Sequence, residues 1–267
     1  MGKNKKIYDL ICSLGGNCSA SHNLLERGLR HYSLPFDWCY MKNDRPIEYL
    51  CEGFQNNFKD FLLKENLVPL TGEEYNNAHT TNAQYKDVLT GYYFVNHFTK
   101  DADFDKDYEL VSSKLRRRLD RLQEKIKTGQ NILFIISTSF EIELSSLKKL
   151  SDTMKQLYPD KCIEFYLISF NCNTNEKYTI DDNIYVNKYS RPTNFYDFAR
   201  TNFEWSFLDD VTVKDSKQSK EKKILFKIKQ IKKGIAIYLL PFIFTILRFR
   251  FYLFGLRFDF CIGKVRE

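Results

Sequence analysis

Short apolar runs alternate with amphipathic segments over the first 213 residues. The runs are apolar almost throughout, which is typical of strands buried on both faces of a sheet; they are 7–14, 131–137, 162–170 and 183–189. Residues 105–128 instead carry an apolar side chain every three or four positions, which predicts a helix that packs on one face. Strands that alternate with helices predict an α/β fold, with a mainly parallel sheet and helices on both faces.

Other segments complete this pattern. From Ser19 onward leucines recur at helical spacing, and helices are also expected over 141–157 and 195–207. Residues 91–98 (GYYFVNHF) are a candidate aromatic strand. The polar, asparagine-rich stretch 71–90 before it is expected to be a long surface loop.

Charge divides the chain at about residue 213. Residues 214–267 contain fourteen Lys and Arg against four acidic residues, so the net charge of +7 consists of about +10 in this tail and −3 in the body. Within the tail, 222–235 has a helical apolar face and 235–247 is almost wholly apolar, although Pro241 interrupts it. We therefore expect a main α/β domain over 1–213 and a basic, helical tail over 214–267 that associates with an anionic membrane surface. A helix pair buried against the domain or in a dimer is the alternative.

Composition excludes several classes of site. The seven cysteines form no CxxC pair and only four histidines are present, which argues against zinc and indicates reduced thiols in a cytoplasmic protein, peripheral at the inner face of the membrane. The acidic body argues against nucleic acid as a partner. We expect no metal and no cofactor.

The stretch CSLGGNCSASH (12–22) carries the first candidate chemistry. Cys18 falls between a predicted strand and a predicted helix, where helix N–H groups favour a thiolate. Gly15, Gly16 and Asn17 let the backbone approach a substrate and offer N–H and amide donors to an oxyanion. Phosphate-binding turns look similar, so the local pattern permits a nucleophile without requiring one.

A thiolate nucleophile usually works with an imidazole. His22 lies one turn along the predicted helix from Cys18, which is typical of a surface or capping histidine. His97 closes the aromatic strand, where side chains can reach a site at the end of a sheet. A histidine packed among aromatic residues is the other interpretation of His97.

A longer pattern makes the chain recognisable. The segments SLGGNCSASHNLLERGLRHYSLPFDW, FVNHF and KLRRRLDRLQEKIKTGQNILFI resemble a bacterial family described as papain-like cysteine peptidases, a domain of unknown function. The resemblance covers residues 7–137 well and the remainder weakly, and the combination of SLGxxC with PFDW is its most specific part. Two positions depart from the family: Phe98 stands where an Asp is common, and IISTSF (135–140) lacks an arginine.

The resemblance implies a cysteine–histidine site. Cys18 would be the nucleophile and His97 the base, while Asp37 of PFDW would orient the imidazole or shape the pocket. Ser33 and Trp38 of the same motif become candidate substrate-binding residues. The order of strand and helix differs from that of papain, so "papain-like" describes the pair of residues rather than the fold.

These observations favour a peptidase or related thiol hydrolase that acts on a peptide or on an acylated glycan or lipid precursor. An acyltransferase of surface polysaccharide biosynthesis and a catalytically silent, membrane-associated binding module are the alternatives. A nucleotide-dependent transferase is disfavoured because the chain has no Walker motif and no complete GxGxxG.

Overall fold

The computed structural model describes residues 5–72, 81–172, 174–190 and 205–214, and beyond them the backbone of four strands within 227–262. The chain divides into two compact units, Met1–Lys214 and Asp215–Glu267. In chain order the first unit contains β1 Lys6–Tyr8, β2 Leu10–Ser13, α1 Ser19–Glu26, α2 Arg45–Asn56, β3 Leu67–Pro69, β4 Asn82–Asp87, β5 Tyr93–Thr99, α3 Phe104–Thr128, β6 Asn131–Thr138, α4 Leu144–Leu157, β7 Cys162–Cys172, β8 Glu176–Ile180, β9 Ile184–Ser190 and β10 Val211–Val213.

The apolar runs form the central sheet, in the order β2-β6-β7-β9-β8. Its first four strands are parallel, and β8 pairs antiparallel with β9. Alternate residues of β6 point into two different cores: Phe134 packs with α3 and α4, whereas Ile135 packs with α1. The predicted α/β class with a mainly parallel sheet is therefore confirmed.

A second sheet, antiparallel and in the order β3-β4-β5, lies within the same unit. Its strand β4 occupies the second half of the stretch expected to be a loop, so that expectation was wrong for Asn82–Asp87. Tyr40 joins the two sheets through single bridges, parallel with Gly16 and antiparallel with Tyr93 in β5. The main-chain bonds between Tyr40 and Tyr93 are 3.0 and 2.9 Å long.

The segment 7–14, which was expected to be one strand, belongs to two different strands. Residues 7–14 form β1, which pairs parallel with β10, and then β2. Asp9 lies between them, and its carboxylate accepts the N–H groups of Gln130 and Asn131 at 2.9 and 3.0 Å. A polar residue in an otherwise apolar run thus marks the point where the chain passes from one sheet to the other.

The second unit is described as β11 Lys227–Ile231, β12 Gly234–Tyr238, β13 Leu247–Leu253 and β14 Leu256–Ile262, in the sheet order β11-β12-β14-β13. These residues are extended where the pattern favours a helical tail, and the rest of that tail lies outside the described residues. Most of the helix expected over 195–207 also lies outside them; Ser206–Asp210 is a 3-10 helix. No helix in the described part of the chain is long and apolar enough to cross a bilayer. Membrane association of 214–267 stays a prediction.

Candidate active site

The turn between β2 and α1 depends on two glycines with a left-handed backbone. Gly15 and Gly16 have φ angles of +94° and +102°, a region that residues with a Cβ rarely adopt. A Cβ on Gly16 would lie 2.1 Å from the carbonyl oxygen of Ser137 in β6. On the other side, Gly16 donates its N–H to the carbonyl of Cys39 and accepts the N–H of Met41, both at 3.1 Å. The turn is therefore clamped between β6 and the chain that follows PFDW.

Cys18 follows this turn, at the N-terminus of α1 and beyond the carboxyl end of β2. It is partly exposed, whereas Cys12 and Cys39 are fully buried. Burial raises the pKa of both buried thiols well above the usual value, so they stay protonated. Cys18 is thus a thiol that solvent can reach, at the N-terminus of a helix.

Asn17 supplies an unused donor beside Cys18. Its Oδ1 accepts the N–H of Ser19 at 2.9 Å, which caps the start of α1. Its Nδ2 has no hydrogen-bond partner among the described residues, and solvent does not replace one because Asn17 is only 3% exposed. The hydroxyl of Ser137 is also buried and unpartnered. Of the three predicted oxyanion donors, Gly15 and Gly16 already donate their N–H groups, to the Ser13 hydroxyl and the Cys39 carbonyl, so Nδ2 of Asn17 is the one left without a partner among the described residues.

Tyr40 connects Cys18 to the second sheet. The side chains of Cys18 and Asn96 both lie close enough to the Tyr40 hydroxyl to affect its pKa. Burial raises the pKa of Tyr40 above its usual value, and the charge of Cys18 and the hydrogen bond to it add to the effect. Tyr40 therefore stays protonated near neutral pH and can donate to the sulfur.

His97, the residue after Asn96, lies against α3. Its ring meets Phe94 edge-on at 5.3 Å between centroids, and both ring nitrogens are buried without a hydrogen-bond partner. Burial, together with the positive charges of Arg118 and Lys114, lowers the pKa of His97 to about 3. The imidazole is therefore neutral at pH 7 and can accept a proton.

Replacement of His97 by glutamine is expected to flatten the loss of stability in acid. The pKa of His97 is about 3 in the folded chain and about 6.5 in an unfolded one. Below pH 6.5 the unfolded state binds a proton that the folded state does not, so the free energy of unfolding falls by up to about 1.4 kcal/mol per pH unit from this group. Above pH 6.5 the group has no such effect.

Urea unfolding of both proteins between pH 7.5 and 4.5 measures this difference. Other titrating groups, including the buried carboxyl of Asp37, act equally in the two proteins and cancel in the comparison. Equal slopes for wild type and His97→Gln would contradict a buried, neutral imidazole at this position.

Asp37 binds the PFDW turn to α1. One carboxylate oxygen accepts the hydroxyl of Ser21 at 3.1 Å, and the other accepts the N–H of Leu34 at 2.9 Å and lies 3.7 Å from Nε of Arg30. Asp37 is 1% exposed, and burial raises its pKa despite these partners. These contacts hold the turn against α1; that Asp37 orients the imidazole or shapes a pocket stays a prediction.

Ser33 and Trp38 lie on the outer side of this turn, next to arginines. The carbonyl of Ser33 accepts from Arg121 at 2.8 Å, and its hydroxyl accepts from Arg30 at 3.4 Å. The guanidinium of Arg30 lies 5.6 Å from the ring centre of Trp38. Both side chains thus contact the arginines around Asp37, and their role in binding substrate stays a prediction.

The structure adds Tyr40, Asn96 and Ser137 to the residues that the sequence singled out. Tyr40 lies two positions after the PFDW motif, and Asn96 directly precedes His97. Each is therefore close in sequence to a residue that the pattern did identify. Their contact depends on the bridge between the sheets, which no local pattern encodes. Among the described residues no group of three or more His, Cys, Asp or Glu side chains is placed to hold a metal ion.

Two comparisons relate the chain to known proteins. Residues 9–175, which include Cys18, Asp37 and His97, match the model of a family described as "Putative papain-like cysteine peptidase (DUF1796)". The chain is also similar to "Uncharacterized protein R408" of Acanthamoeba polyphaga mimivirus, with 28% identity over 138 residues. That alignment covers 47% of this chain and 60% of the viral protein, so the chain spans less than two thirds of its relative. No solved structure matches the chain.

Proposed function

We propose that this chain, which belongs to the family of papain-like cysteine peptidases that its residues 9–175 match, is a thiol hydrolase with Cys18 as its nucleophile. The observation that carries the proposal is the position of Cys18, partly exposed at the start of α1 after the glycine turn, with Tyr40 close enough for the two side chains to interact. In the proposed site, Tyr40 donates a hydrogen bond that positions the sulfur and stabilises negative charge on it.

His97 is the proposed base. It takes the proton of the Cys18 thiol, and the sulfur then attacks the substrate carbonyl carbon to form a tetrahedral oxyanion. The unpartnered Nδ2 of Asn17 donates to that oxyanion. His97 returns the proton to the leaving group as the carbonyl re-forms, and water then hydrolyses the thioester to release the acid and the free thiol.

The burial of His97 bears on when it accepts the proton in this series of steps. A neutral imidazole with a pKa of about 3 is a weak base while its nitrogens face no partner. A developing thiolate nearby would raise that pKa, because an opposite charge favours the imidazolium. The proton transfer is therefore expected to accompany substrate binding rather than to precede it.

Alkylation of the full chain by iodoacetamide at pH 7 tests the nucleophile. We expect Cys18 to react about tenfold or more faster than glutathione, because the helix N-terminus and Tyr40 both stabilise the thiolate. The exposed Cys162 serves as an internal reference, and the buried Cys12 and Cys39 are expected to stay unmodified while the chain is folded. Peptide mapping by mass spectrometry gives the rate at each cysteine.

Two results would overturn the proposal. One is alkylation of Cys18 no faster than that of Cys162 or glutathione across pH 6–9. The other combines two observations. The alkylation rate of Cys18 is unchanged in Tyr40→Phe, and no acyl-enzyme adduct forms when the chain is incubated with a mixed set of peptides and activated esters. The second experiment also separates an active hydrolase from a silent binding module.

A further inference from the structure

A cavity of about 370 Å³ lies between α3 and the chain that follows α2, where residues 58–63 form one wall. Pockets that hold small ligands have volumes of roughly 300–1,000 Å³, so this cavity is large enough for one. None of its lining residues belongs to the candidate active site around Cys18. A ligand bound here would therefore occupy a second site.

Hydrogen bonds hold the wall of this cavity in a strained backbone. Phe58 and Leu62 have φ angles of +55° and +57°, although a side chain disfavours that region. The N–H of Leu62 donates to the buried carboxylate of Asp87 at 3.2 Å, and its carbonyl accepts the hydroxyl of Tyr108 at 3.0 Å. The carbonyl of Phe58 accepts Nη1 of Arg116 at 3.1 Å. The wall is thus fixed from β4 and from α3, and backbone strain that is held in this way occurs often at ligand sites.

The cavity has an apolar floor and a polar rim. The floor consists of the buried side chains of Phe61, Leu115 and Leu119. Four residues of α3 form the rim, in the order Glu109, Ser112, Ser113 and Arg116. A matching ligand has an apolar group on the side that enters the cavity and polar groups on the side that faces the helix.

Glu109 and Arg116 place opposite charges at the two ends of this rim. They are seven positions apart on α3, a distance of about 10.5 Å along a helix axis. Among the described residues neither has an ion-pair partner within 4.0 Å: Lys64, which interacts with Glu109 at longer range, pairs with Asp105 at 2.8 Å. Arg116 uses one N–H group on the Phe58 carbonyl and keeps its others. Both charges can therefore bind a ligand.

Two hydroxyl groups lie between these charges. The hydroxyl of Ser112 donates to the carbonyl of Glu109 at 3.2 Å, so its lone pair can accept an N–H. The hydroxyl of Ser113 accepts Nη1 of Arg117 at 2.9 Å, so its proton can be donated to a carbonyl. An acceptor beside a donor matches the N–H and C=O groups of a peptide main chain.

We propose that this cavity binds a short peptide with free ends, with its ammonium group at Glu109, its carboxylate at Arg116 and an apolar side chain on the floor. Three residues of extended chain span at most about 10–11 Å, which matches the separation of the two charges along α3. A carboxylate also fits the planar fork of a guanidinium. Binding here does not require a reaction at Cys18.

Calorimetric titration of the full chain with the tripeptide Ala-Phe-Ala tests this site. The chain carries Cys18→Ser, so that hydrolysis cannot consume the peptide. N-acetyl and C-amide forms of the same tripeptide each lack one end charge. We expect each cap to weaken binding about fivefold, the effect of one exposed ion pair, and both caps together to weaken it about 25-fold.

Variants on the rim assign each charge to one end of the peptide. Glu109→Gln is expected to remove the preference for a free amino end and to keep the preference for a free carboxyl end. Arg116→Gln is expected to do the reverse, and its amide can still donate to the Phe58 carbonyl. Lys114→Gln is the matched control, because Lys114 is exposed on α3 and does not line the cavity. It should keep both preferences.

A second variant tests the position of the site. Ser112→Phe places a ring in the cavity from a half-buried position on α3, and it is expected to abolish binding of every form of the peptide. Circular dichroism checks that this variant and the rim variants are folded. Unchanged affinity in folded Ser112→Phe would mean that the peptide binds elsewhere, which overturns the site.

Other results would also overturn it. They are no binding of Ala-Phe-Ala at about 10 mM, equal affinity for the free and doubly capped peptides, and loss of both preferences in Lys114→Gln, which would point to overall charge. Aminooctanoate has a similar charge spacing and no amide groups, so affinity equal to that of Ala-Phe-Ala would exclude a peptide as the ligand. The alkylation rate of Cys18 enters none of these outcomes, so failure here leaves the proposed nucleophile standing.

Discussion

Gly16→Ala is expected to leave the chain largely unfolded. The added Cβ would lie 2.1 Å from the carbonyl oxygen of Ser137, a main-chain atom that β6 holds in place. The φ angle of +102° adds strain that any residue with a side chain would feel. We expect a loss of more than about 4 kcal/mol, which is a large part of the stability of an ordinary domain.

Gly28→Ala is the control for that experiment. Gly28 also has a positive φ, +67°, but a Cβ there would meet no heavy atom within 4 Å. Its cost is therefore backbone strain alone, about 1–2 kcal/mol. Chemical denaturation followed by circular dichroism compares the variants, and similar losses at both positions would contradict the clamped turn described above.

Cys18→Ser is expected to reduce hydrolysis by about 10³-fold or more while the protein stays folded. A hydroxyl at this position is far less ionised than a thiol, so His97 would have to remove a much less acidic proton. The two side chains are close in size and Cys18 is partly exposed, so stability should change little. The measurement is turnover of the peptides or esters that acylate the wild type.

Cys162→Ser controls for the loss of a reactive thiol in general, since Cys162 is the exposed cysteine at the start of β7. It should retain wild-type turnover. Activity in Cys18→Ser at a tenth or more of wild type would exclude a thiolate mechanism. Loss of activity in both variants would point to damage of the fold rather than to removal of the nucleophile.

Continuous apolar runs and long amphipathic helices were predictable because their signals are local. The run 131–137 became Asn131–Thr138, and the helix expected over 105–128 became Phe104–Thr128. In both cases burial of one face or of both faces dictates residue types at a fixed period, so the pattern itself contains the structure.

Elements that depend on a distant partner were not predictable in the same way. The strand Asn82–Asp87 is polar at most positions and exists because β3 and β5 pair with its two edges. In the site, Cys18 and the PFDW turn could be identified from sequence, because glycines and a motif mark them. The contact of Tyr40 with Cys18 and Asn96 could not, since it depends on how two sheets meet.

The junction at Tyr40 also bears on the order of folding. Cys18 and Asn96 are 78 positions apart in the chain, and Tyr40 lies between them by pairing with Gly16, in the turn after β2, and with Tyr93 of β5. Closing loops of this length is slow and needs both sheets in place. A chain still emerging from the ribosome, with β5 not yet made, would carry the thiol of Cys18 without the shared contact through Asn96. The arrangement around Tyr40 therefore belongs only to the finished fold.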